Sequence, residues 1–440
     1  MRFITLIFFI TFLIFQTLYV FVPLVSSFKR KLNINQKENG ISVLIPAYNE
    51  ELVLKNCISA VENVEYSNFE VIIINDGSKD GTMDMLEQFL DLKVVERRRQ
   101  KKLHYNEIKN IYQSMNHKKI LVIDKRNGGK ADALNAGIDC AGHEIIITLD
   151  ADSMLDAKSL QYINAAFHRE DIIAAGGTVH VVQGTSKKDG KIWPKFPAKR
   201  IIRHQALHYI HGFYVKKQTQ SVFNSIVVIS GAFGAFKRNI LFEIDGFRRT
   251  VGEDMDITLK IYRYMNENKI KKRLVYVPEA VCYTECPEDL HNFVKQRFRW
   301  QNAFIDCVVE YWKALFNEFN TSLSLFFLID GFFFGTVTAY TSIFMPVVIL
   351  LTGQGYKLAL LLYLCAVGFD IIQSIVALIV SGRYGYRYSF RDYIRIALFA
   401  PIDLFVFKQI PLFINTVGTI SYFFQEERWN YIERKGEVSI

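Results

Sequence analysis

Cysteine is scarce in this chain: six residues in 440, at positions 57, 140, 282, 286, 307 and 365. They are scattered, and the nearest pair, Cys282 and Cys286, has neither a partner pair nor neighbouring histidines at metal-ligand spacing. This excludes a disulfide scaffold and a cysteine zinc site, and leaves reduced thiols in a cytosolic compartment as the expectation. The formal charge of +9 is not accompanied by any RNA- or DNA-binding motif, so nucleic acid is not expected as a partner. The same excess of Lys and Arg suits a protein whose cytosolic side faces anionic headgroups, which makes membrane lipids an expected partner. What the chain has in quantity is apolar surface. Half of it is hydrophobic, with 36 Phe and 22 Tyr, an unusual composition for a purely soluble enzyme.

That surface is concentrated in long runs. Phe3 to Val25 is almost unbroken, long enough for the roughly 20 residues of a spanning helix, and ends at Lys29, Arg30 and Lys31. It lacks the small-residue cleavage site of a signal peptide and is expected to be a retained anchor with its basic flank in the cytosol. A mixed, polar stretch follows to about Phe319. Hydrophobicity then returns at Leu323 to Leu351, Leu358 to Val380 and Ile394 to Phe424. Arg383, Arg387, Arg391 and Arg395 mark a cytosolic loop, consistent with a short outer turn at Gly353 to Tyr356. Pro401, Asp403, Lys408 and Pro411 interrupt the last run, which points to a broken or re-entrant helix pair. Asp330 and Asp370 lie in otherwise apolar spans; such acids either line a wet path or make helix-helix hydrogen bonds.

Between the membrane segments, Ile41 to Ile45, Val71 to Ile74, Ile120 to Ile123 and Ile145 to Leu149 are continuous apolar runs, the pattern of strands covered on both faces. Val53, Leu54, Cys57, Ile58 and Val61 have helical spacing after the first, as do Met83, Leu86, Phe89 and Leu90 after the second. Alternating strands and helices predict an α/β domain with a mostly parallel, doubly wound sheet, whose ligands bind beyond the carboxyl ends of the strands. At those ends stand Pro46, Tyr48 and Glu50, then Asp76, then Asp124, then Asp150 and Asp152. One Asp after a strand is commonly a turn or cap. Several on one rim point to a metal or nucleotide site.

The segments Val43 to Glu50, Asn75-Asp76-Gly77-Ser78, Gly129 to Asn135, Asp150-Ala151-Asp152, Gly252-Glu253-Asp254 and Gln296-Arg297-Phe298-Arg299-Trp300 resemble, in order and spacing, the motifs of family 2 glycosyltransferases. With apolar helices before and after the catalytic domain, the chain is similar to the processive synthases of poly-N-acetylglucosamine, hyaluronan, chitin and cellulose. The resemblance implies a GT-A fold, Rossmann-like and bracketed by transmembrane helices. The expected division is an N-terminal anchor over 1–28, a cytosolic GT-A domain over 29–280, acceptor and interfacial helices over 281–322, a transmembrane region over 323–425 and a cytosolic tail over 426–440. It implies a multi-pass protein of the cytoplasmic membrane that transfers a sugar, with inversion, from a UDP-sugar donor to a polysaccharide acceptor. UDP-N-acetylglucosamine is the expected donor. Synthesis of the hyaluronan, chitin or cellulose type and single-sugar transfer to a lipid carrier stand as alternatives, and export or accessory membrane proteins as further partners.

Each motif has its own chemistry. Asp150 and Asp152, one residue apart at a strand end, offer hard oxygen ligands to Mg2+ or Mn2+ holding a diphosphate; the resemblance puts Asp150 on the ribose or metal and Asp152 on the metal. It assigns Asp76 to the uracil edge, with Pro46, Tyr48 and Glu50 in the same base pocket. Lys130 follows two glycines and opens a helix, where its ammonium and free N–H groups can meet phosphate oxygens. Glu253 and Asp254, taken alone, also fit a capping pair; by resemblance Asp254 is the catalytic base, with Glu253 beside it. Gln296, Arg299 and Trp300 share a helix face, suited to stacking Trp300 on the acceptor sugar and reaching the diphosphate with Arg299. Ser230 and Gly231 resemble the acceptor-site loop, where small residues admit a sugar to the backbone. His208, where many relatives carry Glu, and Ile244-Asp245-Gly246-Phe247, in place of a double glycine, depart from the pattern and bear on acceptor identity.

Overall fold

The computed structural model describes residues 2–28, 32–188, 191–352 and 355–424. The basic flank 29–31, the first half of the expected outer turn and the tail lie outside them. The chain runs α1 (Arg2–Ser26), β1 (Ile41–Ala47), α2 (Leu54–Glu62), β2 (Phe69–Asn75), α3 (Thr82–Leu90), β3 (Leu92–Val94), β4 (Ile108–Ser114), β5 (Ile120–Lys125), α4 (Lys130–Cys140), β6 (Ile145–Leu149), β7 (Ser153–Leu155), α5 (Ser159–Phe167) and β8 (Ile172–Val181). A hairpin, β9 (Thr185–Lys188) and β10 (Lys191–Pro194), leads into α6 (Arg200–His211) and α7 (Gln218–Val222), followed by β11 (Phe233–Lys237), α8 (Arg238–Glu243), α9 (Glu253–Glu267) and β12 (Arg273–Thr284). The remainder is helical: α10 (Leu290–Tyr311), α11 (Thr321–Leu325), α12 (Thr338–Thr352), α13 (Tyr356–Arg383), α14 (Phe390–Phe405) and α15 (Ile410–Tyr422). Two compact units result, one from Lys31–Val182 with Ile226–Glu285, the other from the N-terminal helix, Gln183–Ser225 and Cys286–Glu426.

The first unit holds one ten-stranded sheet in the order β3-β4-β5-β2-β1-β6-β11-β8-β12-β7. Its centre, β5-β2-β1-β6, is parallel, with Val43 level with Val71 and Ile147 and Asn75 level with Asp124. These are the four strands expected from their apolar runs, and β1 and β6 are buried almost throughout because α2, α4 and their neighbours cover both faces. The parallel register brings their carboxyl ends, and the acids that follow, to one rim. The flanks differ from a uniformly parallel sheet: β11 runs antiparallel to both β6 and β8, and β7 antiparallel to β12. All six cysteines are free thiols, as expected, and five are buried.

The second unit contains the apolar helices. Among the described residues four stretches, Ile7–Ser26, Thr321–Tyr340, Ala359–Arg383 and Phe390–Tyr422, are long and apolar enough to cross a membrane. Aromatic edges knit them: Phe12 packs edge-on to Phe334 and Phe369, and Phe15 to Phe326. The last stretch is broken between α14 and α15 by a single turn at Phe407–Gln409, with Pro411 at the start of α15, the broken pair that the prolines imply. Both acids of the apolar runs have partners on other helical segments. Tyr19 donates to Asp330 at 2.6 Å, and Lys408 meets both oxygens of Asp370 at 2.7 and 2.6 Å.

Candidate functional site

The rim of the parallel strands is built by two interlocked turns. After β1, Asn49 takes a left-handed φ of 58°, donates its N–H to the Ser78 hydroxyl oxygen at 3.0 Å and accepts from the Lys79 N–H at 2.8 Å. The Glu50 N–H donates to Thr82 Oγ1 at 2.9 Å. Pro46, Tyr48 and Glu50 are thereby held half-buried beside the turn that follows β2. Asp76 lies deeper, at 2% exposure, and its carboxylate is engaged from within: by Lys125 Nζ at 2.6 Å, by the Gly128 N–H at 3.0 Å and by the Gly129 N–H at 2.7 Å. Burial raises its pKa, offset by Lys125 and the two glycine N–H groups.

Gly129, at φ 89° and ψ 170°, a conformation that is open to glycine, hands the chain to α4 and so aims Lys130. The Lys130 ammonium bridges Asp150 Oδ1 at 2.7 Å and Glu253 Oε1 at 2.8 Å. Burial opposes its charge, yet these two carboxylates carry its pKa above the usual lysine value. Glu253 moves up as well, first from burial and then from Asp254 and Asp150, with Lys130 working against the shift. Asp254 is tied to the loop before β11: its Oδ2 accepts from the Gly231 N–H at 3.1 Å and its Oδ1 from the Met255 N–H at 2.8 Å. A Cβ on Gly231 would lie 2.9 Å from Lys130 Nζ and 3.5 Å from Asp254 Cβ, so Gly231 is part of the same cluster. Asp152, buried after β6, accepts from the Thr284 hydroxyl at 3.2 Å. An open cleft beside these groups is lined by Gly128, Gly129, Lys130, Ala131, Arg249, Thr250 and Val251.

One unit thus unites Lys130, Asp150, Ser230-Gly231, Glu253 and Asp254. Among the described residues no three His, Cys, Asp or Glu side chains form a metal cage. The two carboxylates after β6 fit a different arrangement, in which a divalent cation takes one or two protein carboxylates and completes its shell with diphosphate oxygens and water. Gln296, Arg299 and Trp300 belong to the other unit, on α10. Gln296 is buried and Trp300 partly exposed, and the Arg297 guanidinium, not singled out from the sequence, lies 4.0 Å over the Trp300 ring. Also missed were Lys125 and Asp132, whose burial nothing in a charged, turn-like segment announces.

The family model of Glycosyl transferase family 2 matches residues 42–244, and that of Glycosyl transferase family group 2 matches residues 145–372. Two poly-beta-1,6-N-acetyl-D-glucosamine synthases of Staphylococcus epidermidis are each 28% identical to this chain. One aligns over 80% of this chain and 77% of its own length, the other over 84% and 82%. Among solved structures, a mannosyltransferase of Pyrobaculum calidifontis in complex with GDP-Man and Mn2+ superposes with a TM-score of 0.54, covering 92% of this chain and 94% of that one at 14% identity.

Proposed function

Because the chain belongs to glycosyl transferase family 2, we propose that this glycosyltransferase of GT-A fold adds N-acetylglucosamine from UDP-N-acetylglucosamine to a growing β-linked polysaccharide at the cytosolic face of a membrane. The observation that carries the reading is the Lys130 bridge. It joins a carboxylate of the strand rim, Asp150, to the acidic start of α9, so that groups suited to a diphosphate and to an attacking hydroxyl lie next to one another. The donor identity rests on the relatives, which are synthases of an N-acetylglucosamine polymer.

In this reading Pro46, Tyr48 and Glu50 line the base pocket. Lys130 and the first N–H groups of α4 face the diphosphate. Asp150 and Asp152 would hold Mg2+ or Mn2+, which when bound neutralises the departing diphosphate. Asp254 accepts the proton of the acceptor hydroxyl as that oxygen bonds to the anomeric carbon and the carbon–oxygen bond to the diphosphate breaks, releasing UDP and inverting the centre. Glu253 keeps the Lys130 ammonium in place. Ser230 and Gly231 leave room for the sugar, and Gln296, Arg299 and Trp300 are acceptor-binding residues of the helical unit. Export of the product by the apolar helices belongs to the same proposal.

Membranes carrying the protein, given labelled UDP-sugars with Mn2+, are expected to release UDP and build a polymer only from UDP-N-acetylglucosamine, cleaved by a β-1,6-specific glycosidase. Asp254→Asn is expected to abolish polymer while retaining UDP binding. Normal turnover by that variant would refute the base assignment, and incorporation of another sugar would refute the donor.

A further inference from the structure

Beneath the turn that presents Lys130 lies a charge cluster that none of the motifs announces. Lys125, the last residue of β5, is fully buried. Its ammonium reaches Asp76 Oδ1 at 2.6 Å, Asp132 Oδ1 at 2.5 Å and the Arg126 carbonyl at 2.6 Å, three acceptors for three donors. Both carboxylates are buried too, at 2% and 1% exposure. A buried ammonium is costly unless compensated in this way, so the three groups stand or fall together.

The two acids pass the constraint on to the turn from opposite sides. Asp76 accepts from the Gly128 and Gly129 N–H groups, while the Asn127 side chain donates to the Asp76 carbonyl at 2.8 Å. Asp132 abuts Gly128, where a Cβ would collide with its carboxylate, and also accepts from the Asn106 N–H at 3.1 Å and from the Arg249 guanidinium. The segment from Asn127 to Gly129 is clamped at its peptide N–H groups by one acid and against its α-carbon by the other, with Lys125 holding both.

We infer that Lys125 is a positioning residue of the donor site: through Asp76 and Asp132 it fixes the Gly128-Gly129 turn, and so sets the Lys130 ammonium and the N terminus of α4 for a nucleoside diphosphate. The inference rests on the donor reading above and adds to it. Asp76, which the resemblance puts at the uracil edge, thereby also bears on the donor through the turn, its carboxylate meeting Lys125 and the glycine N–H groups.

The test is UDP binding by calorimetry, with donor KM and kcat, on the full chain in detergent. Lys125→Met is expected to weaken UDP binding and raise donor KM by about tenfold or more, with kcat at saturating donor changed by less than about threefold. A purely structural role would lower the active fraction, and hence apparent kcat, at unchanged KM and affinity; that result overturns the inference. Should Lys125→Met not be recovered folded, Asp132→Asn, which keeps the Lys125–Asp76 pair, is expected to raise KM in the same selective way, and an unchanged KM there overturns it equally. Wild-type protein that binds no UDP would instead bring down the donor reading itself.

Discussion

A methyl group at position 231 would sit 2.9 Å from the Lys130 ammonium, closer than real Cβ atoms approach their neighbours, and 3.4 Å from Glu253 Oε1. The lysine is held by two ion pairs and has little freedom to withdraw. Gly231→Ala is therefore expected to cut kcat/KM by roughly tenfold to a hundredfold while leaving the melting temperature unchanged, because the clash falls on the cluster and leaves the core untouched. UDP release against a thermal melt separates the two. His180 offers a second test at this scale. It lies buried in β8, and burial alone lowers its pKa to about 3. Since the unfolded imidazole titrates near 6.5, the stability that the neutral ring contributes is complete above that value. It is lost, at about 1.4 kcal/mol per pH unit, as the pH falls from there toward the folded pKa. His180→Phe is expected to flatten the acid side of the melting-temperature profile of the detergent-solubilised protein; an unchanged slope would remove His180 as its cause.

Among the elements, the break between α14 and α15 is the one whose partners were hidden. Four polar or cyclic residues in an apolar run imply a broken helix, and the structure has one at Phe407–Gln409. What pins it is an ion pair from Lys408 to Asp370 on α13, while Asp403 on α14 accepts from or pairs with His204 on α6 at 2.7 Å. Asp370 read in isolation was equally compatible with a wet sugar path, since nothing in its neighbourhood along the chain names a lysine 38 residues away. Removing Lys408 leaves Asp370 a lone charge among apolar helices, and removing Asp370 leaves Lys408 only its longer contact with Asp403 at 3.8 Å. Asp370→Leu and Lys408→Leu are each expected to lower the melting temperature, and the double variant to recover most of the loss. Additive losses in the double variant would show that the two side chains do not act as a pair.

For the whole molecule, what was legible followed from burial on both faces. The Ile- and Val-rich runs of β1, β2, β5 and β6 have no alternation, so they announce a covered parallel sheet, and the acids after them fall on one rim by register. β8, with Ala174, Ala175, Gly176 and Gly177 at its centre, and β12, interrupted by Pro278, carry weak strand signals and are held by long-range pairing with each other. The same distinction governs how the chain meets a membrane. Its excess of basic residues is a surface property, screened by salt, whereas four stretches are long and apolar enough to span. If charge alone held the protein to membranes, concentrated salt would release it. Spanning helices bury their apolar faces in hydrocarbon independently of ionic strength. The protein is accordingly expected to stay in the membrane pellet through both a high-salt wash and an alkaline carbonate wash and to leave it only with detergent, followed by immunoblot of pellet and supernatant. Release by either wash would show that the apolar helices do not cross the bilayer, and the proposed cytosolic-face synthesis with export would fall with them.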